Sequence, residues 1–169
     1  ESKIFKKAEK IIVTNDGTLN YYTKEYGKEI SKKITVIYNS TFPEPYLNLQ
    51  TEYYPKPPYT ILYTGRIGWP QIRSLKNLIK AIEQIQDIDI NLKIYCPNPK
   101  DYLEKLGIRE TEKIKILTAP PQKMPEIQTQ ADILFLPLSW HTKSQKIIDT
   151  ATPGKLTDYL ISNRPILIH

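Results

Sequence analysis

The chain has 169 residues and a net charge of +6, from 24 Lys and Arg against 18 Asp and Glu. That length supports one domain with a core of its own and excludes two full ones. No apolar run approaches the roughly 20 residues that cross a bilayer, Lys6, Lys7 and Lys10 interrupt the early apolar stretch that a signal peptide would need, and the single Cys96 excludes an internal disulfide and points to a reducing, cytoplasmic setting.

In chain order, residues 3–9 read as a helical end, Ile11–Val13 as a strand, Thr18–Tyr26 as a helix stopped by Gly27, and Ile34–Ile37 as a second strand. Residues 39–58 carry Pro43, Pro45, Pro55, Pro57 and Pro58 without a clear period and read as a linker. The pattern then becomes regular. Tyr59–Thr64 is a buried-type strand ending at Gly65. Ser74 reads as the N-cap of a helix through Ile85, with Leu75, Leu78, Ile79, Ile82 and Ile85 on one face. Ile90–Tyr95 and Ile114–Leu117 read as strands, with a short helix over Asp101–Gly107 between them. A helix over 123–130 and a strand over Ile133–Leu136 follow. After a loop, Thr152 and Pro153 open a helix to about Ser162, and Ile166 begins a last strand.

Strands alternating with helices predict an α/β fold, a Rossmann-like parallel sheet with helices on both faces. The predicted organisation is 1–40 as the end of an N-terminal domain and start of a linker, 41–58 as the Pro-rich linker, and 59–169 as the Rossmann-like domain. Because the sequence stops inside an apolar β-like run, Pro165–Ile168, the expectation is a piece of a longer protein.

In parallel sheets ligands sit at the carboxyl ends of the strands. Gly65 and Arg66 stand at such an end: a glycine that admits close approach to the backbone, then a guanidinium suited to phosphate. Arg73, expected at the mouth of the next helix, offers a second cation. The alternative is a glycine turn with two solvated arginines. In the 152–158 stretch, Thr152 caps, Pro153 fits the first helical position, and Gly154 and Lys155 join an anion-binding helix start. Lys155 and Asp158 are three apart and share a face, while Leu156 and Leu160 are expected toward the sheet. That pattern also suits an ordinary capped helix. Asp87 and Asp89 form an Asp-x-Asp, but they precede a strand and lie at the wrong sheet edge for a metal-diphosphate site. His141, in the loop before the Thr152 helix, either hydrogen-bonds a sugar or phosphate or is a surface histidine, and Trp69 and Trp140 either stack on a sugar or base or serve packing. The spread of the basic residues excludes a nucleic-acid stripe. Their net charge serves either solubility or attraction to an anion.

In four places the sequence resembles the C-terminal half of group 1 (family 4) glycosyltransferases of the GT-B fold. Lys10–Thr14, the helix ending at Tyr26 and Gly27, and Ile34–Asn39 resemble the end of that family's N-terminal domain. Tyr63-Thr64-Gly65-Arg66-Ile67 with Leu78–Ile82 resembles its strand, Gly-Arg and following helix. Ala131–Leu138 is similar to the strand before its donor loop. Pro153–Leu160 with Arg164–Leu167 resembles its Pro-x-Lys-x-x-Glu-Tyr-Leu … Pro-Ile donor helix. The resemblance implies a nucleotide-diphosphate sugar as substrate and partner, with retaining transfer and no metal or other cofactor. It implies that Arg66 and Arg73 bind the donor diphosphate, with Gly65, Gly154 and Lys155 beside them. Asp158 would hold the ribose where the family has Glu, and Thr150 stands where it often has another Glu. The base is expected near Leu117 and Thr118, and the donor-sugar loop at His141 and Thr150. The acceptor would be bound by the missing N-terminal domain, so little turnover is expected from this piece. Lys3, Lys6, Lys7 and Lys10 with Ile4 and Phe5 form either a peripheral membrane contact at the inner face or a helix packed on that domain. Alternatives are a sugar-nucleotide epimerase and a non-catalytic nucleotide- or partner-binding module.

Overall fold

A computed structural model of the chain describes residues 2–49, 53–138 and 145–169. In chain order, it opens with α1 (Ser2–Lys7), β1 (Ile11–Val13), α2 (Asp16–Tyr26), α3 (Lys28–Ser31) and β2 (Ile34–Val36). Next come α4 (Glu44–Leu47), β3 (Tyr59–Thr64), α5 (Trp69–Gln84), β4 (Ile90–Tyr95), α6 (Lys100–Lys105) and β5 (Ile114–Leu117). A 3-10 turn over Pro121–Lys123 leads into α7 (Met124–Thr129), then β6 (Ile133–Leu136), α8 (Gln145–Asp149), α9 (Lys155–Ile161) and β7 (Ile166–Ile168). These form two compact units, one of the chain through Thr41 plus the stretch ending at Gly154, the other starting at Phe42 and taking in Lys155–His169.

In the first unit β1 and β2 pair in parallel, Ile11 opposite Ile34. Asn15 organises it: its carbonyl oxygen accepts from the Thr18 N–H at 2.6 Å and caps α2. Its amide donates to the Thr150 carbonyl at 3.1 Å and to the Thr152 hydroxyl. The rings of Phe5, Tyr22 and Tyr26 meet edge to face, with centroids 4.8 and 5.1 Å apart.

The second unit is a five-stranded parallel sheet in the order β5-β4-β3-β6-β7. Chain order runs outward from β3 to β5, then returns to β6 on the other side of β3. That return leaves a switch point between β3 and β6, where the crossovers diverge. Alternating residues of β3 feed two cores. Ile61 and Tyr63 join Leu75, Leu78 and Ile82 of α5 and Leu103 of α6, while Leu62 joins Leu134, Leu136 and Tyr159 of α9. The expected Rossmann-like architecture, with helices on both faces, is the one observed.

Several expectations need correction. Ser74 does not cap α5. The helix starts at Trp69, with Pro70 in its first turn and Gly68 as N-cap, and the Gly68 N–H donates to the Gln71 side chain at 3.0 Å. Ser74 lies inside the helix, fully buried, and donates to the Leu138 carbonyl at 2.6 Å. The stretch read as featureless linker contains α4, whose Tyr46 is buried. Thr152 does not cap the last helix either: Thr14 and Asn15 engage its hydroxyl, and α9 begins at Lys155. On α9 Tyr159 is fully buried and Leu156 partly so, Ser162 is buried just past the helix end, and Leu160 faces water at 62% exposure. A three-residue step from Leu156 rotates the core face away from Leu160.

Candidate functional site

Strand ends of a parallel sheet expose backbone that the ladder no longer satisfies, and here they frame a hollow of about 550 Å³. Thr64 and Gly65 form its wall from β3, Tyr95 to Pro97 from β4, and Thr118 and Ala119 from β5. Pro121, Met124 and Gln128 close one side, and Lys155 and Asp158 of α9 close another beside Arg66. Its walls are mostly apolar, and Arg66, Lys155 and Asp158 are the charged residues among them. A flat apolar ring could lie against such walls while a charged group met Arg66 and Lys155.

The backbone turns out of β3 at Gly65 with φ +123°, a conformation that favours glycine. A Cβ there would stand 2.9 Å from the Lys155 Nζ, so the missing side chain also leaves room for the amine. Tyr63, fully buried one step before the exit, reaches both neighbours. Its hydroxyl donates to the Arg66 carbonyl at 2.9 Å and accepts from the Lys155 Nζ at 3.0 Å. The same Nζ lies 4.1 Å from the Tyr63 ring centroid. Burial lowers the Lys155 pKa to about 8, because a charge held in apolar surroundings loses hydration. Burial also pushes the Tyr63 phenol and the Cys96 thiol upward.

A chain of buried polar groups supports the floor. The Tyr46 hydroxyl donates to the Gln128 amide oxygen at 2.7 Å, and the Gln128 amide nitrogen donates to the Thr64 hydroxyl at 3.1 Å. The Tyr159 hydroxyl accepts from the Thr64 N–H at 3.0 Å and lies 3.2 Å from its Oγ1. Desolvation raises the Tyr46 pKa to about 12. Asn98 secures the rim: it accepts from the Ile67 N–H at 2.8 Å and donates to the Ile67 carbonyl at 2.9 Å. That pair of hydrogen bonds ties the loop carrying Arg66 to the loop after β4.

Of the residues singled out in the sequence, Gly65, Arg66, Thr118, Lys155 and Asp158 line this one hollow. Arg73 is exposed a turn inside α5, and Leu117 ends β5; neither lines the hollow. Gly154 and Thr150 fall in the other unit. There the Thr150 hydroxyl donates to the Lys146 carbonyl at 2.6 Å. His141 and Trp140 lie outside the described residues, and Trp69 is exposed at the start of α5. Asp87 and Asp89 precede β4 at the amino edge of the sheet, away from the strand ends that frame the hollow. Sequence reasoning missed Tyr63, Asn98, Gln128, Tyr46 and Tyr159. Among the described residues, no helix is long and apolar enough to cross a membrane.

A parallel, doubly wound sheet with a hollow at the carboxyl ends of its first strands defines a Rossmann-like α/β unit. The sequence pattern of the family described as glycosyl transferases group 1 matches residues 58–168, more than half of the chain, and the chain belongs to that family. Solved structures agree on the fold. A glycosyltransferase from Rickettsia africae aligns with TM-score 0.65 at 13% identity, over 99% of this chain and 47% of its own. HepE of Anabaena, solved in complex with UDP and glucose, aligns with TM-score 0.58 at 13% identity, over 94% of this chain and 44% of its own. WaaG, a glycosyltransferase involved in lipopolysaccharide biosynthesis, gives 0.60 at 15% identity over 94% and 44%. The chain thus spans less than half the length of each of these structures. No curated protein sequence matches it.

Proposed function

We propose that this chain carries the donor side of a sugar transfer, and that the hollow at the ends of β3, β4 and β5 binds a nucleoside-diphosphate sugar. The observation that carries the reading is that Arg66, Lys155 and Asp158 all line one otherwise mostly apolar hollow at the strand ends. The base would lie against the walls near Thr118. The ribose hydroxyls would donate to Asp158, and the diphosphate would meet Arg66 and Lys155. HepE, which shares the fold, was solved in complex with UDP and glucose, and that supports a nucleotide-sugar ligand for a hollow of this kind.

In the retaining transfer proposed here, positive charge grows at the anomeric carbon while the nucleoside diphosphate departs with its bonding pair. Cations fixed beside the leaving phosphates lower that barrier, because they are oriented before the charge develops. In this reading Arg66 and Lys155 supply the neutralisation from the protein, and the reaction runs without a divalent metal. The acceptor belongs to the other domain of the whole enzyme, so this chain alone binds donor but turns over little. A cytoplasmic enzyme acting at a membrane surface fits the basic first helix.

Calorimetric titration of the chain with UDP, GDP and ADP tests the reading. Micromolar binding of one of them, lost in Arg66→Ala and unchanged by EDTA, is the expected result. Absence of binding by all three would overturn it in favour of a partner-binding module.

A further inference from the structure

The donor reading leaves unexplained why a tyrosine hydroxyl is buried beside Arg66 and Lys155. Tyr63 lies on the α5 side of the sheet, fully buried, among apolar neighbours. A phenylalanine would fill that space equally well without the burden of a polar atom. The hydroxyl instead makes a bond in each direction, to the Arg66 carbonyl and from the Lys155 amine.

We propose that Tyr63 is a positioning residue for donor phosphate: its hydroxyl seats the Lys155 ammonium over Gly65 and fixes the backbone of Arg66, so both cations face the hollow as one preset pair. The inference rests on the donor-binding reading. A lysine on a four-carbon stem loses rotamer freedom when it grips a ligand. Here the stem is already fixed by the Tyr63 hydroxyl, by the ring at 4.1 Å, and by the gap that Gly65 leaves. Binding then avoids that ordering cost. Arg66 is exposed, and the Tyr63 bond holds the backbone from which its guanidinium extends.

A pH dependence follows. Arg66, Tyr95, Cys96 and Asp158 share the hollow with Lys155, Tyr63 holds its Nζ, and the Tyr159 phenol is bonded to Thr64 behind the wall. Burial raises the Cys96 thiol and the Tyr63 and Tyr159 phenols, whereas it lowers the Lys155 amine to about 8. An anion prefers the ammonium, so donor affinity falls as pH rises through that value, by about fourfold from pH 7 to 8.5.

The test titrates the full chain with UDP, GDP and ADP at pH 7, then follows the one that binds to pH 8.5. It compares Tyr63→Phe, Lys155→Met and the double variant, with near-UV circular dichroism as the check on folding. Tyr63→Phe is expected to weaken binding about tenfold, and Lys155→Met to weaken it at least as much and to abolish the pH slope. In the Lys155→Met background, Tyr63→Phe is expected to lose no more than about threefold, since the two side chains act together. Three results would overturn the inference while leaving the donor reading intact: wild-type affinity in Tyr63→Phe, full additivity in the double variant, or a flat wild-type pH profile. The flat profile remains decisive if Tyr63→Phe does not fold. If the wild-type chain binds none of the three nucleotides, the donor reading fails and takes this inference with it.

Discussion

Lys155 concentrates the physical conflict in this molecule at one atom. Its Nζ is held by a phenol and a ring, in surroundings that lower its pKa to about 8 through burial. Linkage fixes the sign of the stability effect. Below pH 8 both folded and unfolded chains carry the proton, and the folded state bears the desolvation penalty. Between about 8 and the unfolded value of 10.5, the unfolded chain holds more protons, so stability rises with pH across that window. Lys155→Met removes the penalty. Its melting temperature is therefore expected to exceed that of the wild type by a few degrees at pH 7. The gap should narrow steadily toward pH 10, as the wild-type amine becomes neutral when folded. Thermal melts across that range would show it, and a gap that does not change with pH would contradict the assigned burial. The residue was legible in the sequence as a cation at the start of a helix. Its seat was not, because Tyr63 looks like any other apolar residue of a strand when its partner is 92 positions away.

The elements themselves were legible where hydrophobic pattern alone decides them. Tyr59–Thr64 and Ile133–Leu136 are mainly apolar runs, Ile90–Tyr95 alternates apolar residues with Asn91 and Lys93, and each forms a strand of the sheet. The apolar face of α5 was equally clear, yet its beginning was misplaced. Ser74 has the chemistry of a cap, but its hydroxyl serves the Leu138 carbonyl, a partner brought by β6. Pro70 was the better local signal. The helices α3, α4 and α8 run over four or five residues, too few for a 3.6-residue period to show. Loop geometry was similarly hidden, since Asn98 reads as one polar residue among prolines. In the structure it pairs both backbone groups of Ile67, and buried peptide groups left unpaired are costly. Asn98→Ala is expected to destabilise the fold by about 2–4 kcal/mol. It should also weaken nucleotide binding, because the Arg66 loop loses its tie to β4. Urea denaturation gives the first quantity and calorimetry the second. Full stability in this variant would mean that water replaces both bonds without loss.

At the scale of the molecule, the hollow draws on five separate stretches of chain: the ends of β3, β4 and β5, the start of α7, and α9. All of them belong to the second compact unit. The topology brings them together, since parallel strands with crossovers on both faces place every strand exit on one edge. This explains why Gly65, Arg66, Lys155 and Asp158 were identifiable from their places after a strand or at a helix start, whereas Arg73 was assigned to a helix mouth that lies elsewhere. A ligand that bridges those stretches stabilises the folded unit by linkage, by about 2.7 kcal/mol at 100 times its dissociation constant. The expected result is a rise of several degrees in the unit's melting temperature with the correct nucleoside diphosphate. The rise should be smaller with the monophosphate, which offers Arg66 and Lys155 less charge, and absent in Arg66→Ala. Hydrogen exchange should slow at Gly65–Ile67, Cys96–Asn98, Thr118 and Lys155–Tyr159 together, because one ligand closes all four openings at once. Slowing at only one of these stretches would place the nucleotide elsewhere, and equal shifts with mono- and diphosphate would remove the two cations from its recognition.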